Sequence, residues 1–247
     1  MNDDMISVGV LTPHNAAGPD VEFPLMAPGR VATHIARVSA PGVTTSSGET
    51  PQPTGLRELA TPQALQKAAA AFEPGSVDGI GYASTSSAYA IGVRAETALV
   101  AQLAQQVGLP VASTGLSAVR ALRVLDVTRI ALVHPPWFDD QVNQLGAAYF
   151  ASQGFTVVTA TSAELCNDPQ RIEAGAVAAW ITHNLPADAE AIFIGGNGFT
   201  AAGAIDMLEA TDGPAILESN QVLLWDLLAL TGTSIQIHDF GRLFAHL

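Results

Sequence analysis

The feature that most constrains this chain is a regular alternation between short apolar runs and longer segments rich in alanine and leucine. The apolar runs cover residues 6–13, 34–38, 77–85, 110–114, 129–135, 156–161, 189–196 and 214–219. The segments with helical periodicity cover about 62–72, 93–107, 116–125, 139–153, 168–184, 201–210 and 221–230. Near-continuous apolar strings are typical of parallel strands that are buried on both faces. The alternation therefore predicts an α/β fold with parallel sheets.

The same pattern occurs twice along the chain. Each half opens with a strand that ends in proline, at Pro13 and Pro135, and continues to a strand followed by a small polar turn, at 78–86 and 190–198. Two facing copies of one α/β unit place the carboxyl ends of their strands on a common cleft, where open α/β sheets bind ligands. We predict two pseudo-symmetric flavodoxin-like lobes with an active-site cleft between them. The predicted first lobe comprises residues 1–115 and 221–247, and the second comprises 116–220.

The composition argues against several functional classes. Apolar residues make up 48% of the 247 residues and charged residues 13%, which favours a large core over disorder. The net charge of −13, with 10 Lys and Arg, argues against a nucleic-acid partner. No apolar run approaches the ~20 residues that span a membrane, and the acidic N-terminus is unlike a signal peptide. We expect a cytoplasmic protein without nucleic-acid or membrane partners, and the sequence is compatible with a homo-oligomer.

The sequence lacks the motifs of the common cofactor and metal sites. It contains no phosphate-binding loop and no dinucleotide fingerprint, and its six histidines do not have metal-ligand spacing. The single cysteine, Cys166, excludes an internal disulfide and a cysteine-based metal cluster. We therefore expect chemistry without a cofactor or a metal ion.

One long connection, residues 39–55, is rich in proline, glycine, serine and threonine. Loops of this length are often lids or binding loops, but many are exposed connections. The sequence leaves both interpretations open.

Four passages carry a resemblance to a known superfamily. They are residues 13–18, the passage 119–125 followed by 129–133, Trp225 with Asp226, and residues 241–244. On these residues the chain resembles the aspartate/glutamate racemase superfamily, in the branch that contains arylmalonate decarboxylase and maleate cis-trans isomerase. The resemblance covers most of the chain and is weakest between residues 40 and 60. It implies a cofactor-independent enzyme that acts on a small carboxylic acid through an enolate-like intermediate.

The resemblance also indicates where catalytic cysteines would lie. Racemases of the superfamily carry a cysteine at the turn after the third strand of each lobe, and the decarboxylase keeps only the second, as its proton donor. Here Ser84 occupies the first position and Gly196 the second, while Cys166 matches neither. A serine hydroxyl without an activating base is a poor base, and glycine has no side chain, so two-cysteine racemisation and thiolate addition are disfavoured. The sequence most favours arylmalonate-type decarboxylation.

Two alternatives stay open at this point. One is an isomerase, or a hydrolase or ring-opening enzyme, that uses Ser84 or water as its nucleophile. The other is a protein that binds carboxylates without turning them over. A fold alone does not choose among these classes.

Six residues are candidates for binding the substrate carboxylate: Asn15, Thr85, Ser86, Trp137, Gly196 and Asn197. The resemblance implies that Thr85, Ser86 and backbone amides form a hole for the carboxylate and the developing enediolate. It also matches Asn15 and Trp137 to residues that contact a carboxylate. The ordinary alternatives are helix capping for the hydroxyl residues, turn formation for Asn197 and packing for the tryptophan.

The proton donor is open among His14, Glu218 and water. His14 lies in the first βα loop and its side chain titrates near neutrality, although a surface or capping histidine is the ordinary alternative. Glu218 ends the last strand, where an acid must be solvated, paired or functional. Ser219 or Asn220 is expected to cap the helix that follows. Ser84 completes the catalytic candidates, as the nucleophile of the hydrolase alternative.

Overall fold

The apolar runs form two sheets of four parallel strands in a computed structural model that describes residues 5–43, 48–209 and 213–247. The strands are β1 (Ile6–Thr12), β2 (Val31–Arg37), β3 (Gly79–Tyr82), β4 (Val111–Ser113), β5 (Arg129–His134), β6 (Thr156–Ser162), β7 (Ala191–Ile194) and β8 (Ala215–Glu218). The strand orders are β2-β1-β3-β4 and β6-β5-β7-β8, and every neighbouring pair is parallel. Because the same order occurs in both halves, the predicted α/β fold with two pseudo-symmetric lobes is confirmed.

Helices connect the strands on both sheets. They are α1 (Pro19–Met26), α2 (Pro53–Leu59), α3 (Pro62–Ala69), α4 (Thr85–Val107), α5 (Thr114–Val124), α6 (Asp140–Ala151), α7 (Ala174–Asn184), α8 (Ile205–Leu208) and α9 (Ser219–Thr231). Thr61 and Asp139 cap α3 and α6, since their side chains accept hydrogen bonds from backbone N–H groups of the first turn. None of the helices in the described ranges is long and apolar enough to cross a bilayer.

Three helices differ from the periodicity of the sequence. The predicted helix 201–210 opens with a 3-10 turn, and α8 covers only Ile205–Leu208. Helix α4 begins at Thr85, directly after β3, whereas the periodicity predicted a start near residue 93. Gly92 has a φ of 75° and interrupts the helical geometry, so the regular pattern is visible only beyond it. The predicted helix 168–184 opens with a 3-10 turn and becomes α-helical only at Ala174. The early start of α4 places the N-terminus of a helix at the end of β3.

The last helix, α9, follows β8 of the second sheet but packs against β3 and β4 of the first. Gly79 and Gly81 of β3 allow this close approach, because a Cβ at either position would lie 3.1 Å from the side chain of Thr231 or Leu227. This packing brings the end of β8 and the start of α9 next to the first sheet. The lobe boundaries at 115/116 and 220/221 stay a prediction.

Candidate active site

A cavity of about 620 Å³ lies where the carboxyl ends of the two sheets face each other. The loop after β1, the turn into α4, the loop after β5 and the turn after β7 all contribute to its wall. The contributing residues are Pro13, His14 and Ala16, then Ser84, Thr85 and Ser86, then Trp137 and Phe138, and finally Gly196, Asn197 and Gly198. The predicted cleft between the lobes is therefore present and is lined by both.

The connection 39–55 forms another wall of this cavity. Residues 41–43 and 48–52, with Thr54 and Gly55, line it, whereas 44–47 lie outside the described residues. The carbonyl of Gly48 accepts a hydrogen bond of 2.9 Å from the side chain of Asn167, which belongs to the second half of the chain. The described part of the connection therefore lines the cleft and contacts both halves of the chain.

The turn between β3 and α4 does not contain an activated serine. The hydroxyl of Ser84 is buried and donates to the hydroxyl oxygen of Ser87 at 2.8 Å. A nucleophilic serine requires a base at that distance, and a second hydroxyl is not one. Ser86 is half-buried and lines the cavity. This geometry does not favour the hydrolase alternative with Ser84 as nucleophile.

Thr85 and Asn197, both predicted to bind substrate, bind each other instead. The backbone N–H and the hydroxyl of Thr85 donate to Oδ1 of Asn197 at 3.1 Å and 2.9 Å. Thr114 Oγ1 lies 3.2 Å from the same oxygen and 3.0 Å from Nδ2 of Asn197. The backbone N–H of Gly196 donates to Thr85 Oγ1 at 3.2 Å. In this structure an amide of the other lobe therefore accepts from both donors of Thr85, and the predicted role of Thr85 in binding the carboxylate stays a prediction.

The other end of the Asn197 amide continues into a buried polar network. Its Nδ2 donates to Oδ1 of Asn220 at 2.8 Å, and Nδ2 of Asn220 donates to Oε2 of Glu22 at 2.6 Å. Oε1 of Glu22 accepts from the backbone N–H of Ala202 at 2.7 Å. Glu22 is 2% exposed, so this carboxyl group on α1 has lost its water. The network joins the floor of the cleft to the protein interior.

Glu218 caps helix α9 and is not part of the cavity wall. Its carboxylate accepts hydrogen bonds from the hydroxyl of Ser219 at 2.6 Å and from the backbone N–H groups of Asn220 and Gln221 at 2.8 Å and 2.9 Å. The side chain of Gln221 accepts in turn from the N–H of Glu218, which completes a capping box. The expected cap at Ser219 or Asn220 is wrong, and the geometry gives no support to Glu218 as a proton donor to substrate.

Glu218 and Glu22 form a pair of buried acids. Burial raises the pKa of Glu218 to about 7, although its hydrogen bonds oppose this shift. Burial raises the pKa of Glu22 well above its usual range, and the nearby charge of Glu218 raises it further. Two carboxylates cannot both be charged in such an environment at low cost, so the pair holds a proton at neutral pH.

His14 is a titratable group on the cavity wall, as are the exposed Glu49 and Glu58, and one ring nitrogen of His14 lacks a partner. Its Nδ1 lies 3.2 Å from the carbonyl oxygen of Ala16, which only accepts, so Nδ1 carries the proton in the neutral ring. Its Nε2 is buried and has no hydrogen-bond partner among the residues that the structure describes. Burial, and secondly the charge of Arg37, lowers the pKa of His14 to about 4. The ring is therefore neutral at pH 7, and its Nε2 is a buried nitrogen without a partner.

The remaining candidates differ in position. Asn15 is exposed and does not line the cavity, because the loop after β1 turns His14 and Ala16 toward the cleft and Asn15 away from it. Trp137 is half-buried on the cavity wall and packs edge-on against Phe199, with ring centroids 6.1 Å apart. The geometry therefore does not support the predicted contact of Asn15 with substrate, and it leaves the indole N–H of Trp137 as a candidate donor.

Gly196, at the second cysteine position, has no room for a side chain. Its φ is 105°, in the region that favours glycine, and a Cβ there would lie 2.9 Å from Cδ of Pro135. Pro135, which follows β5, thus fills the space that a side chain at position 196 would need. Both the backbone angle of Gly196 and the position of Pro135 therefore fit a residue without a side chain.

We expect Gly196→Cys to be destabilised by about 1–3 kcal/mol and to gain no activity, because the new side chain meets both the strained φ and Pro135. Denaturant unfolding measures the loss. Gly175→Cys is the matched control, since no atom lies within 4 Å of a Cβ built at that exposed glycine. Equal stabilities for Gly196→Cys and the parent protein would contradict this explanation of the glycine.

Sequence reasoning missed two polar residues of the network, Glu22 and Thr114. Thr114 is the first residue of α5 and directly follows a buried strand, so its position at a strand end was a usable signal. Glu22 lies in a short helix interrupted by Pro24, and nothing local distinguishes it from an exposed glutamate. His134 is buried outside the cavity wall between Asn143 and Tyr89.

Other reactive groups lie away from the cleft. Cys166 is exposed and does not line the cavity. The described residues contain no group of three histidine, cysteine, aspartate or glutamate side chains placed to hold a metal ion.

Solved structures share this fold over the whole chain. Arylmalonate decarboxylase, as a double variant in a liganded form, superposes with a TM-score of 0.80 and 19% identity and covers 98% of this chain and 100% of its own. A maleate cis-trans isomerase variant from Nocardia farcinica with a covalently bound succinylcysteine intermediate superposes with a TM-score of 0.80 and 21% identity. This match covers 98% of this chain and 99% of the isomerase chain. A maleate isomerase variant from Pseudomonas putida with maleate superposes with a TM-score of 0.80 and 17% identity, and the match covers 98% of each chain. At these identities the similarity establishes the fold.

The sequence itself establishes the family. No curated protein matches the chain. The model of the arylmalonate decarboxylase family matches residues 59–244, which is most of the chain and includes the turns after β3 and β7. The predicted branch of the aspartate/glutamate racemase superfamily, and with it the expectation of an enzyme of the decarboxylase or isomerase type, is confirmed. This chain belongs to the arylmalonate decarboxylase family.

Proposed function

We propose that this protein is a cofactor-independent decarboxylase of 2-substituted malonates, in which His14 delivers the proton that replaces the lost carboxylate. The observation that carries this proposal is the position of His14, with its buried and unpartnered Nε2, on the wall of a cavity that the N-terminus of α4 also lines. Membership of the arylmalonate decarboxylase family supports the reaction type. The absence of a side chain at Gly196 requires a donor other than the one that the relatives use.

The retained carboxylate would be held without a lysine or an arginine, since neither lines the described wall of the cavity. The first turn of α4 supplies N–H groups that have no intrahelical acceptor, and the helix dipole makes this end attractive to an anion. The hydroxyl of Ser86 and the indole N–H of Trp137 are further donors on the same wall. Such donors also stabilise the negative charge that builds up on the enediolate.

The departing carboxylate would lie against the apolar part of the wall. The side chains of Pro13, Ala16 and Phe138 offer it no charge and no hydrogen-bond donor. A carboxylate that has lost its water there is destabilised relative to neutral CO₂, which favours cleavage of its bond to the α-carbon. The electron pair of that bond passes into the enediolate, and CO₂ leaves.

The α-carbon then takes a proton from Nε2 of His14, and water returns the proton to the ring. In the free protein the pKa of His14 is about 4, so the ring is neutral when substrate arrives. A bound carboxylate raises this pKa because its negative charge stabilises the imidazolium form. Substrate binding therefore favours the protonated form of His14, which donates to the α-carbon.

The bare Nε2 also supports a second candidate function. A neutral imidazole next to an anion-binding helix N-terminus can remove an α-proton, and protonation of the opposite face of the enolate by water would make the enzyme an isomerase of α-substituted acids. This reaction requires no departing carboxylate. It shares the enolate and His14 with the decarboxylation and differs in the bond that breaks.

Proton NMR in D₂O with the purified protein distinguishes these functions. Disappearance of a 2-substituted malonate with formation of an α-deuterated monoacid is expected for decarboxylation. Exchange of the α-proton of a chiral monoacid with loss of its optical activity, and without loss of CO₂, is the signature of the isomerase. A panel of 2-aryl and 2-alkyl malonates and their monoacids that shows neither change would contradict both proposals and favour a carboxylate-binding protein.

A further inference from the structure

We infer that Asn197 is a specificity-determining residue whose side-chain amide permanently occupies one carboxylate-binding position at the floor of the cleft. The inference rests on the proposed function, because it takes the cleft to be a site for carboxylates. Beyond that function, the inference specifies how many carboxylate groups the site can anchor. The intact protein would anchor one, and a second anchored carboxylate would be excluded by the chain itself.

The bonds to Asn197 Oδ1 are those that an anionic oxygen would receive. A backbone N–H and a hydroxyl, both from Thr85 at the start of α4, point to this one atom at 3.1 Å and 2.9 Å. Thr114 Oγ1, from the start of α5, lies 3.2 Å away. Convergent N–H and O–H donors at a helix N-terminus form the usual binding arrangement for a carboxylate or an oxyanion. The amide oxygen stands in for such an oxygen.

The amide is held firmly enough to block this position. Asn197 is 2% exposed, and its Nδ2 donates to Asn220 at 2.8 Å as well as approaching Thr114. Asn220 is held in turn by Glu22 and by the backbone oxygen of Asn197. A side chain with partners at both ends is fixed, since turning it away would leave buried donors on Thr85 without an acceptor.

The backbone around Asn197 shows that the space is filled by this one side chain. Its neighbours in the chain, Gly196 and Gly198, carry no side chains, and Gly198 packs against the ring of His14. Asn197 also lines the cavity together with these glycines. Its removal is therefore expected to open a donor-lined space that adjoins the cleft and is about the size of a carboxylate.

This arrangement selects among acids by the number of carboxylates that must be held. A monoacid, or a malonate whose departing carboxylate rests on the apolar wall, needs one anchored carboxylate. A 1,4-dicarboxylate such as succinate needs a second set of donors for its other end. The intact chain is expected to discriminate against this second class.

The test compares Asn197→Gly with the parent protein by calorimetric titration of succinate and of phenylacetate. Asn197→Gly is expected to gain at least about tenfold in affinity for succinate relative to phenylacetate, because the N–H and hydroxyl of Thr85 become free to donate to an anion. Adding Thr114→Val to this variant is expected to reduce the gain, since it removes one of the polar groups. Asn184→Gly, at the exposed end of α7, is the matched control and is expected to leave both affinities unchanged.

An Asn197→Gly variant with native unfolding behaviour and unchanged selectivity would overturn the inference. A crystal structure of the parent protein with succinate provides a second test that needs no variant. If the ligand takes the N–H and hydroxyl of Thr85 while Asn197 swings away, the amide is displaceable and the inference is wrong. Turnover of malonates by the parent protein reports on the proposed function separately, so either idea can fail while the other stands.

Discussion

Replacing His14 with glutamine is expected to lower kcat for malonate decarboxylation about 10²- to 10⁴-fold, the range that general acids contribute. Glutamine keeps a polar group of similar reach but has no nitrogen that can take up and release a proton at neutral pH. The Nε2 of His14 has no partner in the described structure, so its loss removes no hydrogen bond from that atom. The rate of monoacid formation and the unfolding midpoint are measured together, to separate lost chemistry from lost stability.

The matched control for this substitution is His183→Gln. His183 is exposed on α7 and bonds only locally, with Nδ1 2.7 Å from the carbonyl of Ala179. The control is expected to keep the parent rate. Full activity in His14→Gln would show that water or another group protonates the enediolate, and it would remove His14 from the mechanism.

The second large effect concerns the buried acids. Burial raises the pKa of Glu218 to about 7 from an ordinary value near 4.5. A carboxyl group with a raised folded-state pKa contributes stability that is fully present below pH 4.5 and is lost as the pH rises to about 7. A shift of this size corresponds to about 3 kcal/mol. The free energy of unfolding of Glu218→Gln, relative to that of the parent protein, is therefore expected to rise by about this amount between pH 4.5 and pH 8.

The comparison must be made as a difference between the two proteins. Burial lowers the pKa of both His14 and His134 to about 4, so these residues make the folded protein more stable as the pH rises between 4 and 6.5. Their effect opposes that of Glu218 in the parent curve and cancels in the difference. Urea unfolding at several pH values measures it, with the exposed Glu164→Gln as control. A difference that does not change with pH would contradict the raised pKa of Glu218.

The sheets were predictable because their signal is local. Parallel strands buried on both faces read as apolar strings, and the chain shows them twice in the same order. Helices α1 and α2 were not predicted. Helix α1 carries Pro24 in its interior, and α2 begins within the long connection and has only seven residues, so neither has a clear periodicity.

The walls of the cleft were predictable from strand ends. His14, Ser86 and Trp137 each follow a strand, and such positions meet at the carboxyl edge of a parallel sheet. The role of Thr85 was not predictable in the same way. Its partner Asn197 lies 112 residues away in the chain, and no local pattern states which amide will reach which donor.

Glu218 shows a different limit of sequence reasoning. An acid at the end of a buried strand has several interpretations, and the catalytic one was the more prominent. The glutamine three residues later, Gln221, was the signal for a capping box, since a cap and its third helical residue bond reciprocally. The structure decides between them because both oxygens of Glu218 are already engaged.

The most direct measurement of the central claim is the pKa of His14 by NMR, in the free protein and with saturating phenylacetate. The signal is assigned by its absence from His14→Gln, and the buried His134, which does not line the cavity, serves as an internal reference. We expect a pKa of about 4 in the free protein and a clearly higher value with the carboxylate bound, while His134 does not change. A pKa of His14 that does not respond to the bound carboxylate would contradict the role of this residue as the proton carrier of the cleft.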